Sequence, residues 1–100
     1  MRNLKNIKST IDFIKQHPQL FYQRIYWSKR RPSGQIVYCF GGVAFELATR
    51  AKEVDFSTLH RPGHKQRTVM NFLGLTDKEF TYCFKSHRTL KEIKSYLHVD

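Results

Sequence analysis

Acidic residues are scarce in this chain. Eight aspartates and glutamates stand against eighteen lysines and arginines, a formal net charge of +10 over 100 residues. So strong an imbalance favours polyanionic partners: nucleic acid first, then acidic protein or nucleoprotein surfaces. Long apolar runs are missing as well. The most apolar stretch, residues 36–45, is about half of the roughly 20 residues that a membrane-spanning helix needs, so no membrane partner is expected. Residues 1–8 alternate polar and apolar types and build no apolar block of the secretory kind. Cysteine occurs twice, as Cys39 and Cys83, each in apolar surroundings; reduced thiols in a cytoplasmic protein are expected. The length suits one small domain, residues 1–100, with a modest core.

Several chemistries lack their residues. Gly41-Gly42 has neither the glycine spacing nor the lysine-serine/threonine ending of a phosphate-cradling loop. Zinc ligands usually come in close pairs such as Cys-x-x-Cys. Here Cys39, Cys83, His60 and His64 offer only the pair His60 and His64, interrupted by Pro62 and Gly63. Neither a metal nor another cofactor is expected. The acids are scattered and form no catalytic carboxylate pair. One enzymatic alternative remains, a cysteine-dependent hydrolase in which Cys39, activated at a helix start, works with His60 or His64 as base. Cys39 between Tyr38 and Phe40 reads more simply as a core residue, so no catalytic residue is assigned and a non-enzymatic protein is expected.

What is present is helical. Leu4, Ile7, Ile11 and Ile14 recur at helical spacing with Lys5, Lys8, Asp12 and Lys15 opposite, predicting a helix over residues 4–16 that His17-Pro18 ends. A second helix is predicted over residues 18–27, dense in rings: Phe21, Tyr22, Tyr26 and Trp27. Residues 28–34 read as a basic loop, and residues 35–38 as an extended lead-in, the one stretch with a convincing strand pattern. Residues 39–51 form the predicted central helix, because Gly41, Gly42, Ala44 and Ala48 let neighbours approach closely while Phe40, Val43 and Leu47 fill the space between. A loop over residues 56–63 precedes a helix over residues 64–73, which Gly74 closes in left-handed geometry. Thr76 with Glu79, and Thr89 with Glu92, are capping boxes that start two more helices. The expected fold class is all-α: a compact bundle of about five short helices around residues 39–51.

The cations cluster. No acid occurs from Phe13 to Phe45, where Lys15, Arg24, Lys29, Arg30 and Arg31 lie, or from Phe56 to Thr76, where Arg61, Lys65 and Arg67 lie. Lys85, His87 and Arg88 make a third group between the capped helices. Loops and helix ends are surface by default, so these charges are expected on display. Candidate nucleic-acid or partner-binding residues are therefore Lys29, Arg30, Arg31, Arg61, Lys65, Arg67, Lys85 and Arg88, with Tyr26 as a stacking ring. Tyr22 is a further ring expected at the surface, whereas Trp27 reads as packing against the central helix. Residues 64–84 match a helix-turn-helix superficially. The would-be reading helix, with Asp77, Glu79 and its rings, suits a core or a protein contact better than a major groove.

His17-Pro18, Gln23, Trp27, the segment Cys39-Phe40-Gly41-Gly42-Val43-Ala44, then Leu73-Gly74-Leu75-Thr76, Glu79, Cys83-Phe84 and Thr89-Leu90 follow a pattern. It resembles that of a family of small helical proteins in bacterial and phage genomes with a Trp...Cys-x-Ala-Gly-Trp-Ala helix followed by Leu-Gly-Leu-Thr-x-x-Glu and Asn-Thr-Leu segments. Departures are Gly41 for alanine, Val43 for tryptophan, Phe80 for alanine, Cys83 for leucine and Arg88 for asparagine. The resemblance implies a compact helical domain and a phage or mobile-element association, with no established reaction. Together these readings lead to a small basic protein that contacts nucleic acid or a nucleoprotein complex through Lys/Arg loops. The alternative is a phage-type effector that binds a host protein of defence, transcription or proteolysis and inhibits or redirects it.

Overall fold

The computed structural model describes residues 2–25, 27–52, 62–85 and 88–99. The first helix, α1 (Leu4–Gln16), starts where the Asn3 side chain accepts a hydrogen bond from the Asn6 backbone N–H at 3.1 Å. It buries Ile7, Ile11 and Ile14, while Leu4, placed by its spacing in the same stripe, sits in the first turn and is exposed. Proline follows His17 and turns the chain, as its fixed φ dictates.

The chain does not, however, continue as the helix predicted over residues 18–27. A single 3-10 turn (Pro18–Leu20) gives way to extended backbone at Phe21, which bridges to Tyr38, and the Tyr22 N–H donates to the Tyr38 carbonyl at 2.8 Å. Tertiary partners decide the matter. Gln23 is buried, its amide N–H donating to the Cys83 carbonyl at 2.7 Å and its oxygen accepting from the Phe40 N–H at 2.9 Å. A helix would have turned these groups away from both.

A second correction follows directly. The fold is mostly helical, with five helices among the described residues, but it carries a two-stranded antiparallel hairpin of β1 (Ser28–Arg30) and β2 (Ile36–Tyr38), so all-α holds only approximately. Residues read as a basic loop supply β1 and the turn. The loop Pro32-Ser33-Gly34 is closed by the Gly34 N–H to the Arg31 carbonyl and the Arg31 N–H to the Gln35 carbonyl, both 2.8 Å. Proline sets the first position and Gly34, at φ 91°, takes the left-handed last one.

The central helix, α2 (Phe40–Arg50), packs against α1 and α3 (His64–Leu73), which also touch each other. Its start is capped by the Cys39 sulfur, which accepts from the Gly42 N–H at 3.4 Å. Both glycines are sites of close approach: Gly41 lies under the Phe84 ring, Gly42 against the Trp27 carbonyl. That carbonyl also accepts from the Cys39 N–H at 3.0 Å, and Trp27 reaches it through a left-handed backbone, φ 66°. Gly74 (φ 68°) closes α3, and both capping boxes are formed, opening α4 (Asp77–Cys83) and α5 (Leu90–Leu97). Phe80, Cys83, Ile93 and Leu97 join the isoleucines of α1 and Phe40, Val43 and Ala44 of α2 in one core. The radius of gyration, 12.8 Å, is what a compact chain of this length gives, about 13 Å.

Candidate functional site

The chemistry of the two thiols is limited by burial. Cys39 is buried and spends its sulfur on the α2 cap; Cys83 is fully buried, and burial pushes its thiol up to about 12. His64 is buried and meets Phe45 edge-on, ring centres 6.1 Å apart, while His60 lies outside the described residues. Among the described residues no three His, Cys, Asp or Glu side chains lie close enough to hold a metal ion. Nor is any described helix long and apolar enough to cross a membrane.

The hairpin is where the basic clusters converge. Directly paired residues of an antiparallel ladder share a face, so Arg30, opposite Ile36, and Ser28, opposite Tyr38, point to the same side. On that side a cleft of about 260 Å³ is walled by Ser28, Ile36, Tyr38, Phe45, Glu46 and Lys65, the Glu46 carboxylate being paired with Arg50 at 3.3 Å. Lys65, in the first turn of α3, holds its ammonium 5.4 Å from the centre of the Phe45 ring and 5.9 Å from that of Trp27. It thereby brings the second basic cluster to the hairpin.

At the hairpin tip the Arg31 guanidinium lies 5.5 Å from the centre of the Tyr22 ring. Tyr22 in turn lines a second cleft, of about 330 Å³, with Phe21, Arg24, Arg88 and Leu90. The third cluster thus adjoins the first through Tyr22 and Arg24. Lys85 reaches this region only through its backbone carbonyl, which accepts from the Gln23 amide at 3.3 Å, and otherwise lines a separate groove with Asp77 and Tyr82.

The candidate residues are not equivalent. Lys29, Arg30, Arg31, Lys65, Arg67 and Lys85 are exposed, and among the described residues no carboxylate lies within ion-pair distance of any of them. Arg88 is engaged instead. Its guanidinium lies over Tyr82 at 3.7 Å, donates to the Tyr82 carbonyl at 3.3 Å and pairs with Glu92 at 3.4 Å, linking α4 to α5. Arg61 and Tyr26 lie outside the described residues. Tyr22 and Arg24 belong to the site although the sequence reading left them out of its candidates. Reading residues 18–27 as a helix hid their link to the hairpin, but the acid-free window already contained Arg24.

Trp27 packs among Phe45, Phe80 and Phe84, with ring centres 6.5, 6.3 and 5.3 Å away, as its reading against the central helix requires. It braces the hairpin from within. Comparison with protein-family models, with curated proteins and with solved structures finds no match, so function has to be read from the site.

Proposed function

We propose that this protein binds nucleic acid, alone or within a nucleoprotein complex, without catalysis, through phosphate contacts from the hairpin and its neighbours. Lys29, Arg30, Arg31 and Lys65 carry most of the contact, Arg67, Lys85 and Arg61 extend it, and Arg88 chiefly links α4 to α5. The observation that carries this reading is that Arg30, Arg31 and Lys65, exposed cations on and beside one hairpin, have no described carboxylate within ion-pair distance, the nearby Glu46 being paired with Arg50. A cation already paired with a carboxylate is poorly placed to neutralise a phosphate and displace its condensed counterion; unpaired ones are free to do so.

The test is fluorescence anisotropy with random-sequence DNA and RNA at rising salt. Five phosphate contacts give a log-log slope of about −4, and reversing Lys29, Arg30 and Arg31 to glutamate removes most of the binding without changing the melting temperature. Binding that survives the triple reversal would sink the assignment.

A second reading, an effector of phage or mobile-element type that binds a host protein, has one observation in its favour. A largely apolar groove of about 470 Å³ runs along α4 and α5, lined by Asp77, Lys78, Thr81, Tyr82, Lys85 and Tyr96. A pull-down from host lysate with and without nuclease separates the two, because partners held through nucleic acid leave on digestion.

A further inference from the structure

Several large rings among the described residues are covered by other rings or by cations. Tyr82 and Tyr96 stack at 3.9 Å, with Arg88 over the outer face of one and Arg2 at 5.9 Å over the other. Phe80 and Phe84 stack at 3.7 Å inside the core, against Trp27. Tyr22 is different: Arg31 lies over one face at 5.5 Å, but the ring is 43% exposed, the one exposed Phe, Tyr or Trp among the described residues.

Its exposure is not that of a loose loop. The Tyr22 N–H is fixed on the Tyr38 carbonyl of β2, and the next residue, Gln23, is buried and hydrogen-bonded to two other segments. The backbone that carries the ring is thus held in place, beside a cleft of about 330 Å³ that Arg24 also lines, with Arg31 over one face of the ring. Neither Arg24 nor Arg31 has a described carboxylate within ion-pair distance. An exposed ring on anchored backbone beside unpaired guanidinium groups suits single-stranded nucleic acid, since every base has a face to stack and a phosphate on either side. A duplex buries its base faces and leaves such a ring without a partner.

We propose that Tyr22, flanked by Arg24 and Arg31, is a base-stacking subsite that gives this protein a preference for single-stranded over duplex nucleic acid. One unpaired base stacks on the Tyr22 ring while Arg24 and Arg31 take the adjoining phosphates. The inference rests on the nucleic-acid reading above and adds the strand state of the ligand.

The experiment compares a labelled oligothymidylate with a duplex of the same length, using wild type, Tyr22→Ala and Tyr22→Phe, each checked for an unchanged melting temperature. Wild type is expected to favour the single strand. Tyr22→Ala should lower single-strand affinity by about tenfold, leave duplex affinity and the salt slope unchanged, and Tyr22→Phe should restore it, because stacking needs the ring and not the hydroxyl. Equal affinity of wild type and Tyr22→Ala for the single strand overturns the subsite but leaves phosphate binding standing. Equal losses on both ligands overturn it too, by assigning Tyr22 a merely structural role. If wild type binds neither ligand at low salt, the nucleic-acid reading itself falls, and the subsite with it.

Discussion

Gly42→Ala sets two physical effects against each other with opposite signs. Helix propensity favours alanine over glycine by at most about 1 kcal/mol, so on local grounds the substitution stabilises α2. The surroundings say otherwise. A methyl group at Gly42 would lie 2.8 Å from the Trp27 carbonyl carbon, closer still to its oxygen, and 3.3 Å from the Tyr38 Cβ. The first two are backbone atoms and cannot swing aside. To make room, the Trp27 carbonyl has to leave α2, stretching the 3.0 Å bond from Cys39 N–H and disturbing the sulfur cap on Gly42. Overpacking of this kind costs about 1–3 kcal/mol, and an unmade buried hydrogen bond costs about as much again. Less the propensity gain, the net is a loss of about 3 kcal/mol, or roughly 12–24 °C in melting temperature for a domain of this size. Thermal melts followed by ellipticity and by fluorescence of Trp27, the one tryptophan, measure it. Gly34→Ala is the control: nothing lies within 4 Å, and only the left-handed backbone, φ 91°, opposes it, a cost of about 1–2 kcal/mol. A Gly42→Ala protein as stable as wild type, or more so, would refute the reasoning and leave propensity as the deciding effect.

Gln23→Leu should lose about 2–4 kcal/mol in urea denaturation, because the Phe40 N–H and the Cys83 carbonyl are left buried without their partner. Both thiols should resist alkylation in the native state and react once the chain unfolds; rapid labelling of Cys39 in the folded protein would reopen the cysteine-hydrolase alternative. Because the Cys83 thiol is raised to about 12 from an ordinary 9, the folded state keeps a proton that the unfolded chain gives up, so stability should fall as pH rises from 9 towards 12, and Cys83→Ser should flatten that fall. Glu79 and Glu92 are both lowered from 4.5, chiefly by the backbone N–H groups of Thr76 and Thr89 respectively. Their contribution is complete above the ordinary carboxylate range and is lost as pH falls through the lower folded values; melts between about pH 6 and about pH 3 should therefore be less acid-sensitive in Glu92→Gln.

Where structure follows from neighbours in the chain, the sequence is legible. The isoleucine spacing of α1, Gly74 after α3, and Thr76 with Glu79 all act within a few residues, and the helices begin and end where those residues require. The segment over residues 18–27 is illegible for the opposite reason. Pro18 and a run of large residues suit a helix start, but the groups that decide the outcome lie far along the chain: Tyr38, Phe40 and Cys83. The basic clusters were legible as composition, whereas their convergence depended on that same segment. Once residues 21 and 22 pair with β2, Tyr22 meets Arg31 and Arg24 meets the start of α5.

The hairpin therefore joins fold and site in one element. Its inner anchor is apolar and immovable: Val37 is buried, and the Trp27 and Tyr38 carbonyls are pinned by Cys39 and Tyr22 N–H groups. Its outer strand, Ser28–Arg30, is wholly exposed and has no partner strand on its far side among the described residues. An open strand edge invites pairing with another chain, and lysine and arginine there oppose it by like-charge repulsion. The charges that would oppose such pairing are the same ones proposed above to meet phosphate. Replacing Lys29 and Arg30 by threonine separates the two roles: phosphate binding falls, and concentration-dependent association, measured by sedimentation, rises. Weaker phosphate binding without any association would mean that the short strand needs no such protection, and that its charge serves the ligand alone.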